Sequence, residues 1–285
     1  MIDGRPSMTA RRVAMRRAAH QLFDSPLVFE DPLAVRILGP ETAATLSDDC
    51  GNPPERRLRA FMVARSRYAE DQLRAAVARG ARQYVLLGAG LDTFAYRNPF
   101  PRLRVFEVDH PASQAWKRQC LEAAAIPIPA NLRFTPVDFN KQNWDEELRQ
   151  VGFAANQPTF FAWLGVTPYL TKDAVFSTLR QIHALSPENG VVFDYALPRA
   201  SLNEQEQAAH DAMAARVTAA GEPFQGYFEP EEFARELRSI GYGSVEDLDA
   251  ADIDARFFAG RADRLALSGR IAHLLCAVGA RGEVI

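Results

Sequence analysis

The apolar run Val85-Leu86-Leu87 stops at Gly88-Ala89-Gly90-Leu91-Asp92, where two glycines are separated by one residue. Glycine at the carboxyl end of a buried strand lets the backbone turn tightly and pass close beneath a ligand, and open α/β sheets bind their ligands at that end. Thr93 stands where a dinucleotide fingerprint has its third glycine, and no Gly-Lys-Ser/Thr phosphate loop follows. Pyrophosphate is therefore disfavoured and a nucleoside without one is favoured. The same two glycines would also serve a plain strand-to-helix turn.

About twenty residues further on, Val105-Phe106-Glu107-Val108-Asp109 ends in a carboxylate, the spacing at which an acid accepts hydrogen bonds from ribose hydroxyls. Asp109 is favoured over Glu107 because it is terminal; its other reading is a cap on a helix that begins near Pro111. Phe134-Thr135-Pro136-Val137-Asp138-Phe139 repeats the pattern. There the acid is suited to accept from an adenine amino group, and the following backbone N–H to donate to a ring nitrogen. Standing alone, Asp138 would read as a solvated loop acid. Arg65 falls within the apolar stripe Leu58, Phe61, Met62, Ala69, Leu73, Ala76 by helical periodicity. A buried guanidinium requires an anion, either a protein acid or the carboxylate of an amino-acid-bearing nucleoside such as S-adenosylmethionine (SAM). A shift of helix phase would put Arg67 in its place.

Positioning these groups on one rim needs a sheet. Apolar runs at 83–87, 104–108, 132–137, 159–166, 190–195, 244–248 and 271–278 read as strands, and patterns at 111–125, 172–185 and 230–240 as helices. Strands alternating with helices predict a doubly wound, mainly parallel α/β sheet. Ahead of it, Thr9 to Phe23 reads as a helix with an arginine-rich face, Asp31-Pro32 opens a short second helix, and a Gly/Pro/Asp stretch at 47–54 precedes a long helix from Glu55 to Arg79 that stops at Gly80. Two segments break the alternation, a polar helix at 201–220 and the stretch 250–268, and both are candidate lids. The expected organisation is one domain over 1–285, with a helical cap at 1–80 and a core at 81–285 carrying an inserted lid at 199–229.

The chain has 285 residues, 47% of them hydrophobic, with 33 basic and 36 acidic side chains for a formal charge of -3. That is enough chain for a substantial core, and the charge gives no overall attraction to nucleic acid or to an anionic membrane. Neither partner is expected. Cys50, Cys120 and Cys276 are scattered, and His20, His110, His183, His210 and His273 show no metal-ligand spacing, so neither a disulfide scaffold nor a metal is expected. No apolar run is long enough to span a bilayer, and the expected location is cytoplasmic.

Taken together the motifs resemble the leucine carboxyl methyltransferase family of SAM-dependent methyltransferases, particularly its bacterial branch, which is similar to polyketide O-methyltransferases. The resemblance runs through nearly the whole chain: Thr9-Ala10 to Arg17-Ala18, Phe61-Met62-Val63-Ala64-Arg65, Leu87 to Thr93 with Arg97 after it, Phe106 to Pro111, Pro136 to Phe139, Trp163 to Thr171, and Gly221 to Phe224. It implies a class I methyltransferase, Rossmann-like sheet of seven strands with the last antiparallel. It further implies SAM as cofactor, with Arg65 on the methionyl carboxylate, Gly88, Ala89 and Gly90 beneath the cofactor, Asp109 on the ribose, and Asp138 with Phe139 on the adenine. Eukaryotic members that methylate a C-terminal leucine carry a Glu at the end of the fourth strand, where Leu164 stands here. That departure favours a small-molecule acceptor.

A carboxylate acceptor needs no base, whereas a hydroxyl needs one within hydrogen-bond reach. Tyr169, Tyr195, Tyr227 and His110 are the candidates, and Trp163, Tyr169, Tyr195, Phe224 and Tyr227 are expected to wall an acceptor pocket. The expected function is O-methylation of a small-molecule carboxylate or hydroxyl. The alternatives are a SAM-binding regulator without catalysis and an NAD-dependent oxidoreductase, which lacks its full glycine fingerprint here.

Overall fold

The computed structural model describes residues 8–46, 52–139, 141–186, 188–219, 221–267 and 269–280. Cys50 and residues 47–51 of the Gly/Pro/Asp stretch at 47–54 lie outside them. Seven strands form one sheet in the order β3-β2-β1-β4-β5-β7-β6: β1 (Gln83–Leu87), β2 (Arg104–Asp109), β3 (Leu132–Pro136), β4 (Thr159–Trp163), β5 (Gly190–Ala196), β6 (Tyr242–Leu248) and β7 (Ala272–Gly279). β7 runs antiparallel to both neighbours, and β1 to β5 pair in parallel. This is the seven-stranded sheet with its last strand antiparallel that the resemblance implies. The central strands β1, β4 and β5 are buried at every residue, as their unbroken apolar runs require when helices cover both faces.

Strand alternation divides the core in two. Tyr84, Leu86, Val105, Phe160, Ala162 and Val192 face one layer, which is closed by α3 (Pro53–Ala78) through Ala60, Ala64, Tyr68 and Leu73. Val85, Leu87, Phe106, Phe161, Trp163 and Phe193 face the other, closed by α5 (Trp144–Gln150), α6 (Lys172–Leu185) and α8 (Pro230–Ile240). Local signals set the helix ends: Pro at the first turn of α3 and α8, the Thr171 side chain accepting from the Ala174 N–H before α6, and Gly241 in the left-handed region after α8. The remaining helices are α1 (Met8–Phe23), α2 (Gly39–Ala43), α4 (Pro111–Ala123), α7 (Glu204–Ala219) and α9 (Ala250–Phe257).

Three expectations are corrected. β4 ends at Trp163, not at residue 166, because Gly165 takes φ +70° and the chain then winds into a 3-10 turn at Thr167–Tyr169. Asp31-Pro32 opens no helix: Asp31 is fully buried and accepts from the Thr93 hydroxyl at 2.6 Å, and helical turns begin only at Arg36. The α5 helix at 144–150, short and rich in acids on its first turn, has no counterpart in the expected pattern.

The stretch after β6 is a wall. Ile253, Phe258, Leu265 and Leu267 are buried in the α3-side core. Among the described residues, no helix is long and apolar enough to cross a membrane.

Candidate active site

The carboxyl ends of β3, β2, β1, β4 and β5 line up Asp138, Asp109, the Gly88–Gly90 turn, Gly165 and Asp194 along one rim. The glycine turn is held from below, with the Gly88 and Ala89 N–H groups both donating to the Val108 carbonyl at 2.8 and 3.2 Å. Gly88 has φ +75°, and a Cβ there would lie 2.6 Å from Val166 Cγ2. Gly90 has φ +47° and a Cβ would meet Ala10 Cβ at 3.2 Å, so α1 lies across the turn. Only glycine satisfies both the backbone angle and the space at Gly88. α1 is fastened there by Arg17, whose guanidinium donates to the Leu91 carbonyl at 2.6 Å and faces Asp92.

Asp109 and Glu107 leave the same face of β2 but separate in role. Asp109 Oδ2 accepts from the Gly90 N–H at 2.6 Å and Oδ1 from the His110 N–H at 2.7 Å. Burial raises its pKa, opposed by those two N–H groups and by Lys117. Glu107 instead turns under the rim into an ion pair with Lys117 Nζ at 2.7 Å, both side chains essentially inaccessible. Burial pushes its pKa up to about 7 despite that lysine. Glu107 is therefore taken up inside the protein, and the acid at the rim is Asp109. Next to it, the Val137 N–H donates to the Asp109 carbonyl at 2.8 Å, which carries the chain on to Asp138 and to Phe139, 44% exposed. Asp138 meets Lys141 at 3.0 Å.

Arg65 points inward from α3, 5% exposed, and its Nη1 donates to Asp194 Oδ2 at 2.9 Å. The other oxygen of Asp194 accepts from the Gly165 N–H at 2.6 Å. A Cβ on Gly165 would lie 2.8 Å from Arg65 Nη1, so glycine there lets the guanidinium reach the rim. Arg65 Nε is buried without a hydrogen-bond partner among the described residues. Arg67 faces outward to Asp71, which removes the alternative helix phase. Asp194, 129 residues from Arg65 in sequence, is a site residue that periodicity does not reveal.

The four expected proton acceptors divide. Tyr195 alternates away from Asp194 into the opposite core, where its hydroxyl donates to Asp247 Oδ2 at 2.5 Å and meets His273 Nδ1 at 3.2 Å. His110 caps α4, its Nδ1 accepting from the Ala112 N–H at 3.2 Å. Trp163 likewise faces the α6-side core, packed edge-on against Phe193. Tyr195 and Trp163 are thus core residues, not pocket walls, because both stand at odd-numbered positions on β4 and β5, strands whose even-numbered positions face Arg65 and α3. Tyr169 and Tyr227 do reach the rim. The Tyr169 ring lies 5.3 Å from that of Phe224, and its hydroxyl meets Thr9 of α1. Burial raises its pKa, reinforced by Glu222. The Thr9 hydroxyl donates to Glu222 Oε2 at 2.5 Å, and the Gln225 N–H to the Pro168 carbonyl at 2.7 Å. α1, the turn after β4 and the segment following α7 therefore meet over the rim.

A cleft at the opposite rim, lined by Arg79, Pro158, Glu188 and Gly279, contains none of these residues.

A family description, leucine carboxyl methyltransferase, matches residues 10–183. "Putative S-adenosyl-L-methionine-dependent methyltransferase YktD" of Bacillus subtilis (strain 168) is 34% identical over 285 aligned residues, covering 91% of this chain and 93% of that one. A Frankia alni protein with the same description, FRAAL3718, is 36% identical over 185 residues, 62% of this chain and 64% of its own. Among solved structures, a duf574 family protein from Streptomyces avermitilis shares the fold, with TM-score 0.55 and 15% identity over 98% of this chain and 100% of that one. The chain belongs to the leucine carboxyl methyltransferase family, whose members are SAM-dependent methyltransferases.

Proposed function

We propose that this SAM-dependent methyltransferase methylates an oxygen of a small molecule, with the cofactor lying along the rim from Asp138 to Arg65. The rim suits that cofactor in the order of its groups: an exposed aromatic and an acid for adenine, a buried acid with spare lone pairs for ribose, a glycine floor, and an inward arginine for a carboxylate. The buried Nε of Arg65, without a partner, supports an additional anion beside Asp194. When bound, SAM supplies an electrophilic methyl group on a sulfonium.

Little further chemistry is needed from the chain, which has to hold the acceptor oxygen in line and keep water out. The observation that carries the small-molecule reading is the closure above the rim. Thr9 is bonded to Glu222, and Glu55 on α3 is gripped by both Arg16 of α1 and Arg216 of α7. A rim roofed in this way suits a compact acceptor better than a folded protein surface or a duplex.

Incubation with methyl-labelled SAM and a panel of apolar acids and phenols is expected to give labelled small molecules. Label found only on protein tails or nucleic acid would reject the reading. The cofactor pose has its own check. Arg65→Lys should weaken SAM binding roughly 10- to 100-fold in calorimetry, while leaving binding of decarboxylated SAM nearly unchanged. Equal losses for both ligands would remove Arg65 from the carboxylate.

A further inference from the structure

We propose that the methyl acceptor is a hydroxyl compound, a phenol or alcohol and not a carboxylate, and that Tyr227 passes its proton to His210. The proposal rests on the methyltransferase reading above and narrows its acceptor class.

Position comes first. Tyr227 pairs with Ala196 in a parallel bridge at the end of β5, so its side chain leaves on the face of Ala196 and, two residues earlier, of Asp194. Its neighbour Phe228 goes the other way, with its ring 6.2 Å from that of Tyr195. Gly226 fixes the segment against the turn after β4: a Cβ there would lie 2.7 Å from the carbonyls of both Thr167 and Leu170. Tyr227 is thereby held on the Arg65 side of the rim, on the segment that packs against the turn after β4.

Behind Tyr227 stands an imidazole. His210 of α7 is 6% exposed, its Nε2 3.2 Å from the Tyr227 hydroxyl and its Nδ1 3.3 Å from Asp211 Oδ1. Asp211 is half-exposed and is clasped through both oxygens by Arg199. The order tyrosine, imidazole, carboxylate, solvent is that of a proton path, with Asp211 selecting the tautomer that leaves Nε2 free to accept. α7 buries only Glu206, His210 and Val217. A helix that needed this position merely for packing would be served by an apolar residue.

The proton path decides between acceptor classes. A carboxylate acceptor has no proton to give to such a path, whereas a neutral hydroxyl must lose one as its oxygen is methylated. In the transfer, the acceptor's proton moves to the Tyr227 oxygen as the Tyr227 proton moves to His210 Nε2. The acceptor oxygen's lone pair forms the new O–CH3 bond and the methyl–sulfur bonding pair returns to sulfur, leaving a neutral thioether. The proton ends on the imidazole and leaves past Asp211.

The test combines product chemistry with rescue. With methyl-labelled SAM and a mixed panel of phenols, alcohols, carboxylic acids and a metabolite extract, the label should survive mild alkali as an ether. His210→Ala should lower kcat roughly 100-fold or more without changing the calorimetric Kd for SAM, and added imidazole should restore part of the rate. Tyr227→Phe should also lower kcat, again with SAM binding intact. Label released by alkali as methanol would mark a methyl ester and overturn the proposal, as would full activity in His210→Ala, or a loss in both His210→Ala and His210→Gln that imidazole does not relieve. SAM bound without transfer to anything in the panel also overturns it. Wild-type protein that binds no SAM overturns this proposal together with the methyltransferase reading, and the calorimetry tells the two failures apart.

Discussion

Glu107 and Asp109 stand two residues apart on one strand and do different work because one is sealed under α4 and the other reaches the glycine turn. The buried carboxyl of Glu107 has its pKa raised from 4.5 to about 7 by burial. The folded state therefore favours its protonated form, and that contribution to stability is complete below pH 4.5 and lost as pH rises through 7. The stability of wild type minus that of Glu107→Gln should accordingly fall across that window and level off above it, read by thermal unfolding in a pH series. A difference that is flat or rises with pH would contradict the assignment. Asp109→Asn keeps the shape but weakens the acceptor, and should cost about 2 kcal/mol of SAM binding, roughly 30-fold in Kd. At Gly88, alanine would bring its Cβ to 2.6 Å from Val166 at a φ of +75°. Gly88→Ala should therefore lose about 1–2 kcal/mol from backbone strain alone, and Val166→Ala should relieve the clash but not that remainder, as measured by chemical unfolding.

At the scale of elements, the glycine turn, the acid-ended strands and the inward arginine were legible because each is a local pattern: a run, a terminus, a break in a stripe. What joins them was not. Arg65 read as a ligand group with half of a protein ion pair as its alternative, and only the fold brings Asp194 to it. Tyr195 and Trp163 sit at strand ends in sequence, but which face they take depends on register, and register put both in the core. His210 looked like a residue on a polar helix until Tyr227 was placed beside it. The roof over the rim is likewise non-local, since Glu55 joins α1 and α7 through Arg16 and Arg216. These charges are partly exposed, so Glu55→Gln should cost global stability no more than about 1 kcal/mol. It should, however, speed amide exchange in α7 more than in the β-strands; uniform exchange would show that the pairs do not hold the roof.

On the scale of the whole molecule, the sheet orders its carboxyl ends so that groups suited to adenine, ribose, a close-passing backbone and a carboxylate follow one another from β3 to β5. The N-terminal helix and the segment after α7, 213 residues apart in sequence at the Thr9–Glu222 bond, meet to cover that row. The most direct test is isothermal calorimetry of the wild-type protein with S-adenosylhomocysteine, repeated on Asp109→Asn and Arg65→Lys. A single site per chain, weakened by each substitution, is the predicted result. No heat of binding at millimolar ligand, or binding indifferent to both substitutions, would contradict the account.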